Sequence, residues 1–220
     1  MPFVLGAWQT NCFLLAQFDG EGSPCWMIDV GFEPEPMFEA VEEKGWVLEK
    51  IVLTHAHVDH IAGLNAARER FAGVPVAIHE AEQAFLGRPE LNLSAALPEQ
   101  IVCEAAEETL VDGQVLTLGG EAGLAFEVRH VPGHSPGGVA LYQSASEIAI
   151  VGDALFAGSI GRHDFPTSDG ELLLKKIAER LLTLPDATRI FPGHGPDSTI
   201  RQERATNPYV GAGAGGLSFG

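Results

Sequence analysis

A strand that runs straight into histidines constrains this chain more than any other feature. Residues 50–54 (KIVLT) read as an apolar strand, and His55-Ala56-His57-Val58-Asp59-His60 follows at once, three imidazoles and a carboxylate within six residues. Alternate residues of an extended loop project the same way, so His55 and His57 can share one metal ion. Asp59 and His60 then face a different direction, which leaves room for a second ion beside the first. Imidazole nitrogen and carboxylate oxygen suit zinc above all, with iron or manganese as alternatives, whereas calcium wants an all-oxygen set.

Three later segments repeat the logic of strand, Gly or Pro, then one ligand-capable side chain. VRHVPGHSPGG offers His134, IAIVGD offers Asp153 and TRIFPGHG offers His194. Each lies where a sheet edge hands over to a loop, the place where α/β proteins carry their sites. Five histidines and two aspartates are enough for two divalent ions, with Asp153 as the bridging carboxylate. Water held between two such ions is a nucleophile at neutral pH.

The order H-x-H-x-D-H, PGHS, GD, GHG resembles the metallo-β-lactamase-fold metallohydrolases, over nearly the whole chain from Asn11 to Tyr209. The resemblance implies an α/β (α+β) fold, a four-layer αββα sandwich, with one domain over residues 1–210 and a glycine-rich tail at 211–220. It implies one metal site from His55, His57 and His134, another from Asp59, His60 and His194, and Asp153 shared. FAGSIGRHDFP at 156–166 and ERATNPY at 203–209 are similar to the single-domain glyoxalase II-like hydrolases, which cleave thioesters of glutathione with 2-hydroxy acids. That implies attack by a metal-bridging hydroxide on S-lactoylglutathione or a related anionic thioester, with Asp59 and Asp153 in the catalytic centre. The chain departs from the pattern in three places. Val30 replaces a usual proline, Arg162 stands where a lysine is usual, and His163-Asp164 replace an aromatic pair. Arg162 can hold a carboxylate bidentately. His163 is either a substrate contact or merely exposed. Two alternatives share the motif, a persulfide dioxygenase with one iron and a lactonase.

Asp29 and Ser135 are expected to support the ligands; for Ser135 the alternative is an N-cap before Pro136. His79 is expected to start a helix or pack, His130 to give structural support, and Cys12, Cys25 and Cys103 to be small buried residues.

Composition narrows the partners. Thirteen Lys and Arg against 30 Asp and Glu give a net charge of −17, which repels nucleic acid and anionic membranes alike. Three scattered cysteines make no disulfide framework, and neither a signal-peptide pattern nor an apolar run of about 20 residues is present, so a cytoplasmic enzyme is expected. The charge and periodicity leave the oligomeric state open.

The remaining pattern predicts strands at 13–17, 25–30, 74–78, 109–118, 124–131, 138–143, 147–153 and 188–191. Helices are expected at 38–46, 60–70, 171–182 and 199–205, with a surface loop and some helix at 87–108. Two layers of sheet covered by helices on both sides follow from that order.

Overall fold

A computed structural model describes residues 1–213. In chain order the elements are β1 (Pro2–Leu5), β2 (Thr10–Ala16), β3 (Pro24–Ile28), α1 (Glu35–Glu43), β4 (Val47–Val52), α2 (Val58–Ile61), α3 (Leu64–Arg70) and β5 (Val76–His79). A 3₁₀ helix (Glu80–Phe85) and a long irregular stretch lead to β6 (Glu108–Leu110), β7 (Val115–Leu118), β8 (Leu124–His130), β9 (Val139–Gln143) and β10 (Ile148–Gly152). The rest comprises β11 (Leu155–Phe156), β12 (Ser159–Ile160), α4 (Gly170–Lys176), a π-helical turn (Ile177–Leu181), β13 (Arg189–Pro192), β14 (Ser198–Thr199) and α5 (Ile200–Thr206).

Two six-stranded sheets, ordered β1-β2-β3-β4-β5-β6 and β14-β13-β10-β9-β8-β7, form the centre, with β11 and β12 as a separate ribbon. Side chains alternate across each strand, and both faces are apolar because both are covered. In β3, Trp26 and Ile28 face the other sheet, while Cys25 and Met27 face α1 and α3. Phe13, Trp26, Ile28 and Val52 meet Phe126, Val128, Leu141 and Ile150 between the sheets, where the Trp26 and Phe126 rings lie 5.6 Å apart. Met37, Phe38 and Val41 of α1 and Leu64 and Ala67 of α3 cover the outer face of the first sheet. Leu173 of α4, Ile177 and Leu181 of the π turn and Ile200 of α5 cover the second. The layers are therefore αββα, as expected.

Several boundaries differ from the sequence pattern. The single strand expected at 109–118 is broken by a turn at Asp112-Gly113, and its halves, β6 and β7, join different sheets. The helix expected at 60–70 splits into α2 and α3, because the Gly63 N–H leaves the helix to donate to the Val30 carbonyl at 2.9 Å. The helix at 171–182 ends in the π turn. Residues 87–107 contain turns but neither helix nor strand, and the short strands β1, β11, β12 and β14 carry no pattern long enough to read. The glycine-rich tail expected at 211–220 lies outside the described residues from 214 onward.

Strand direction positions the site. Strand β8 is antiparallel to β9, β9 to β10, and β10 is parallel to β13, so β8, β10 and β13 end at the same edge of their sheet. The loops after those three strands and after β4 of the other sheet meet there.

Candidate metal centre

Every ligand-capable residue singled out in the sequence arrives at that edge. His55 and His57 lie in the extended loop after β4, Asp59 and His60 on the first turn of α2, His134 after β8, Asp153 after β10 and His194 after β13. A register shift between Ile150 and Gly152 re-aims the end of β10. Gly152 has φ +49°, and a Cβ there would lie 2.8 Å from Thr54 Oγ1, so this crossing between the sheets needs glycine. Gly193 is needed for proximity, since its Cβ would sit 2.1 Å from Asp153 Oδ1.

Among the described residues three sets of donor atoms lie within 4.8 Å of one another: His55, His57 and His134; His55, His60 and Asp153; and Asp59, His60 and His194. His57 Nδ1 and His134 Nε2 approach to 2.8 Å. Asp153 lies between the groups, with Oδ1 3.4 Å from His60 Nε2 and Oδ2 3.6 Å and 3.5 Å from the Nε2 atoms of His134 and His194. Asp59 Oδ2 is 3.0 Å from His194 Nε2. His55 Nε2, His60 Nε2 and Asp153 Oδ1 are buried without a hydrogen bond. Orphaned buried polar atoms of this kind are costly; divalent cations shared among them are the remedy that fits the donor set.

Outer partners fix the rings. His60 Nδ1 meets Asp29 Oδ2 at 2.8 Å, His134 Nδ1 meets the Arg162 carbonyl at 2.7 Å, and His55 Nδ1 meets Thr54 Oγ1 at 3.1 Å. With ring protons on the Nδ1 atoms of His60 and His134, the Nε2 atoms are the ones that would face a cation. Asp29 itself is clamped by the Thr54 N–H and hydroxyl, each at 2.7 Å, with a left-handed φ of +58°. Support by Asp29 was expected from the sequence; Thr54 was not. Thr10 was missed too: its hydroxyl donates to Asp59 Oδ2 at 2.9 Å, while Asn11 Nδ2 holds the carbonyls of Pro192 and Gly195 around His194. The first hairpin thus clamps ligand loops from both sheets, a juxtaposition with no local sequence signal.

The two groups differ in charge. Burial keeps His55 well below the ordinary imidazole range, with His60 and His57 adding to it, and keeps His57 down at about 3. Burial likewise lowers His134. For His60 burial is outweighed by Asp59, Asp29 and Asp153, which raise it, and Asp59 and Asp153 likewise raise His194 against burial. Burial opposes ionisation of Asp59 and Asp153, yet the surrounding imidazoles hold both below the ordinary carboxylate range.

A cavity of about 400 Å³ opens above the ligands, walled by Trp8, Val58, Leu93, Phe156 and Phe165, with Arg162 at its side. Leu93 stands in the left-handed region at φ +68°, anchored between Asn92 and Ser94, whose backbone N–H donates to Asn92 Oδ1. Arg162 lies over the Phe165 ring at 4.4 Å and makes two 2.9 Å bonds to Asp164. His163 turns toward Gly170 and the Gly161 carbonyl and does not line that cavity. No helix starts at Pro136, so Ser135 is not an N-cap, and its buried hydroxyl contacts no ligand by hydrogen bond. His79 caps the 3₁₀ helix through the Ala81 N–H and stacks on His130 at 3.9 Å, the packing roles expected of both. The three cysteines are buried and free.

Comparisons with known proteins agree with this geometry. The chain is 36% identical over 209 residues to a probable metallo-hydrolase, YqgX, of Bacillus subtilis, covering 94% of each. It is 35% identical over 213 residues to the hydroxyacylglutathione hydrolase GloC of Haemophilus influenzae, covering 93% of this chain and 94% of that one. Among solved structures, the BLEG-1 B3 metallo-beta-lactamase matches with a TM-score of 0.88 at 37% identity, over 96% of this chain and 98% of that one. TTHA1623 in a di-iron-bound form matches with a TM-score of 0.82 at 35% identity, over 95% and 99%. A family model described as the metallo-beta-lactamase superfamily covers residues 5–194, from β1 through His194. With all seven candidate ligands inside the matched span, the chain belongs to the metallo-beta-lactamase superfamily.

Proposed function

We propose that this protein is a metal-dependent hydrolase of thioesters, of the S-lactoylglutathione type, using two divalent ions held by His55, His57, His134, Asp59, His60, His194 and Asp153. The observation that carries the reading is the pair of adjoining donor groups with Asp153 between them beneath an open cavity. Likeness to a hydroxyacylglutathione hydrolase at 35% identity favours a thioester as substrate. Zinc suits the donor set; the di-iron form of a 35% identical structure makes iron the competing metal.

Ions bound there supply Lewis acidity and a water of lowered pKa. The protein's own part is arrangement. Asp59 and Asp153, both held ionised, concentrate negative charge where the cations would fit. Thr10 fixes the Asp59 carboxylate so that it does not swing away from His194. Trp8, Leu93, Phe156 and Phe165 give the cavity apolar walls against which the carbon chain of a substrate can rest. Arg162 is the cation on the cavity wall, and its pair with Asp164 is exposed, 68% and 66% for the two side chains. An exposed pair is weak in water, so a substrate carboxylate can take the place of Asp164.

The test is loss of S-lactoylglutathione by purified protein of measured metal content, run beside a β-lactam, a lactone and oxygen uptake with glutathione persulfide. Thioester loss that disappears on chelation and returns with two ions per chain is the expected result. Oxygen uptake with one iron per chain, or full turnover in metal-stripped protein, would overturn the proposal.

A further inference from the structure

Glu82 is a buried carboxylate that the proposed reaction does not use. It sits on the 3₁₀ helix after β5 with no solvent exposure. Its Oε2 accepts from the Ala56 N–H at 2.5 Å, and Ala56 lies between His55 and His57. Its Oε1 accepts from the Gly137 N–H at 2.8 Å, three residues past His134. One side chain therefore joins the loop after β4 to the loop after β8, which between them carry the whole all-imidazole group. Neighbouring contacts stiffen the same joint: His79 stacks on His130 at an interplanar angle of 14°, and His130 Nε2 lies 3.0 Å from the Pro136 carbonyl.

We propose that Glu82 is a positioning residue that sets the affinity of the His55, His57 and His134 group for its ion. The inference rests on the metal-dependent reading above. A carboxylate placed wholly out of water is expensive unless it is compensated, and the Ala56 and Gly137 N–H groups compensate this one, with the Ser135 hydroxyl beside it. The all-imidazole group contains no carboxylate of its own, whereas its neighbour includes Asp59 and leans on Asp29. Glu82 supplies the all-imidazole group with a fixed geometry, because both of its oxygens are spent on the two ligand loops. Glutamine cannot replace it, because an amide offers one acceptor oxygen and turns an NH₂ toward the second N–H. Aspartate keeps both acceptors but is one methylene short.

The experiment is a zinc titration of the metal-free full-length protein, repeated with cobalt so that each ion's absorption reports its ligands. Wild type should take up two ions. Glu82→Gln should weaken one binding step by roughly 10- to 100-fold, the range for lost outer partners of metal ligands, and leave the other unchanged. The weakened step should persist in a His194→Ala background and vanish in a His57→Ala background. Glu82→Asp should fall between wild type and Glu82→Gln, and it carries the test if the glutamine variant does not fold. Equal weakening of both steps, or unchanged binding with only a lower melting temperature, would make Glu82 a general brace and overturn the inference. Failure of wild type to bind any ion would overturn the metal-dependent reading itself.

Discussion

The two halves of the candidate centre hold similar side chains in opposite electrostatic states. On one side His55, His57 and His134 are pressed by burial into neutral imidazoles, ready for a cation without first releasing protons. On the other, Asp29, Asp59 and Asp153 draw protons onto His60 and His194, so a cation must compete for those nitrogens. The lesson is that five histidines in one site are not equivalent, because the carboxylates are placed unevenly. Charge distribution, more than residue type, separates the groups.

The largest expected effect removes what the halves share. Asp153→Ala should cost on the order of 10³-fold in kcat/KM, the scale of several kcal/mol of lost charge stabilisation, with metal content falling in both groups by elemental analysis. Near-normal turnover would show that Asp153 bridges nothing. Asp29→Asn should act on one half only, weakening the ion near His60 by roughly 10- to 100-fold while the all-imidazole ion stays; loss of both ions in titration would erase the distinction between the groups.

Acidity probes the neutral half in metal-free protein. His57 titrates at about 3 folded against 6.5 unfolded, so between those values the unfolded chain binds the extra proton and stability drops as pH falls from about 6.5. His60 and His194 have the opposite sign: their contribution is full below pH 6.5 and fades as pH rises through their elevated values. His57→Gln should therefore flatten the acid-side fall in melting temperature by several degrees. An unchanged pH profile would show that His57 is not held neutral. A smaller change is expected from Thr10→Val, which removes one hydrogen bond to the Asp59 carboxylate. About tenfold weaker binding of the ion beside His194 is the expectation from a bond to a charged group, and an effect on the all-imidazole ion would break the comparison. The smallest effect lies outside both groups. Asp164→Ala should leave the melting temperature unchanged and lower KM for an anionic thioester a few-fold by freeing Arg162; a raised KM would show that the pair itself orients the substrate.

Much of this centre was legible before any coordinates. The run from His55 to His60, with PGHS, GD and GHG behind three more strands, names all seven residues that the fold brings together, because they follow the ends of four strands and strand ends are easy to see. Supporting residues were less visible in proportion to their distance along the chain. Support by Asp29 is expected from the sequence, but Thr10 reaches Asp59 across 49 residues, and Glu82 reaches Ala56 and Gly137 across 26 and 55. Nothing local marks a threonine or a glutamate for such a task. Segment 109–118 differs, since its break is written locally: Asp112-Gly113 between two apolar runs is a turn signal, and it sends the two ends to separate sheets.

The sequence by itself determined the layered architecture and the identity of the candidate ligands, since apolar period and donor type are properties of short segments. Tertiary structure decided which histidines are neutral and which attract protons. It also decided that Arg162 is tied to Asp164 while His163 turns out of the cavity, and that Leu93 and Trp8 wall it. Those outcomes depend on burial and on charges brought close by folding, and both are fixed only when distant segments meet.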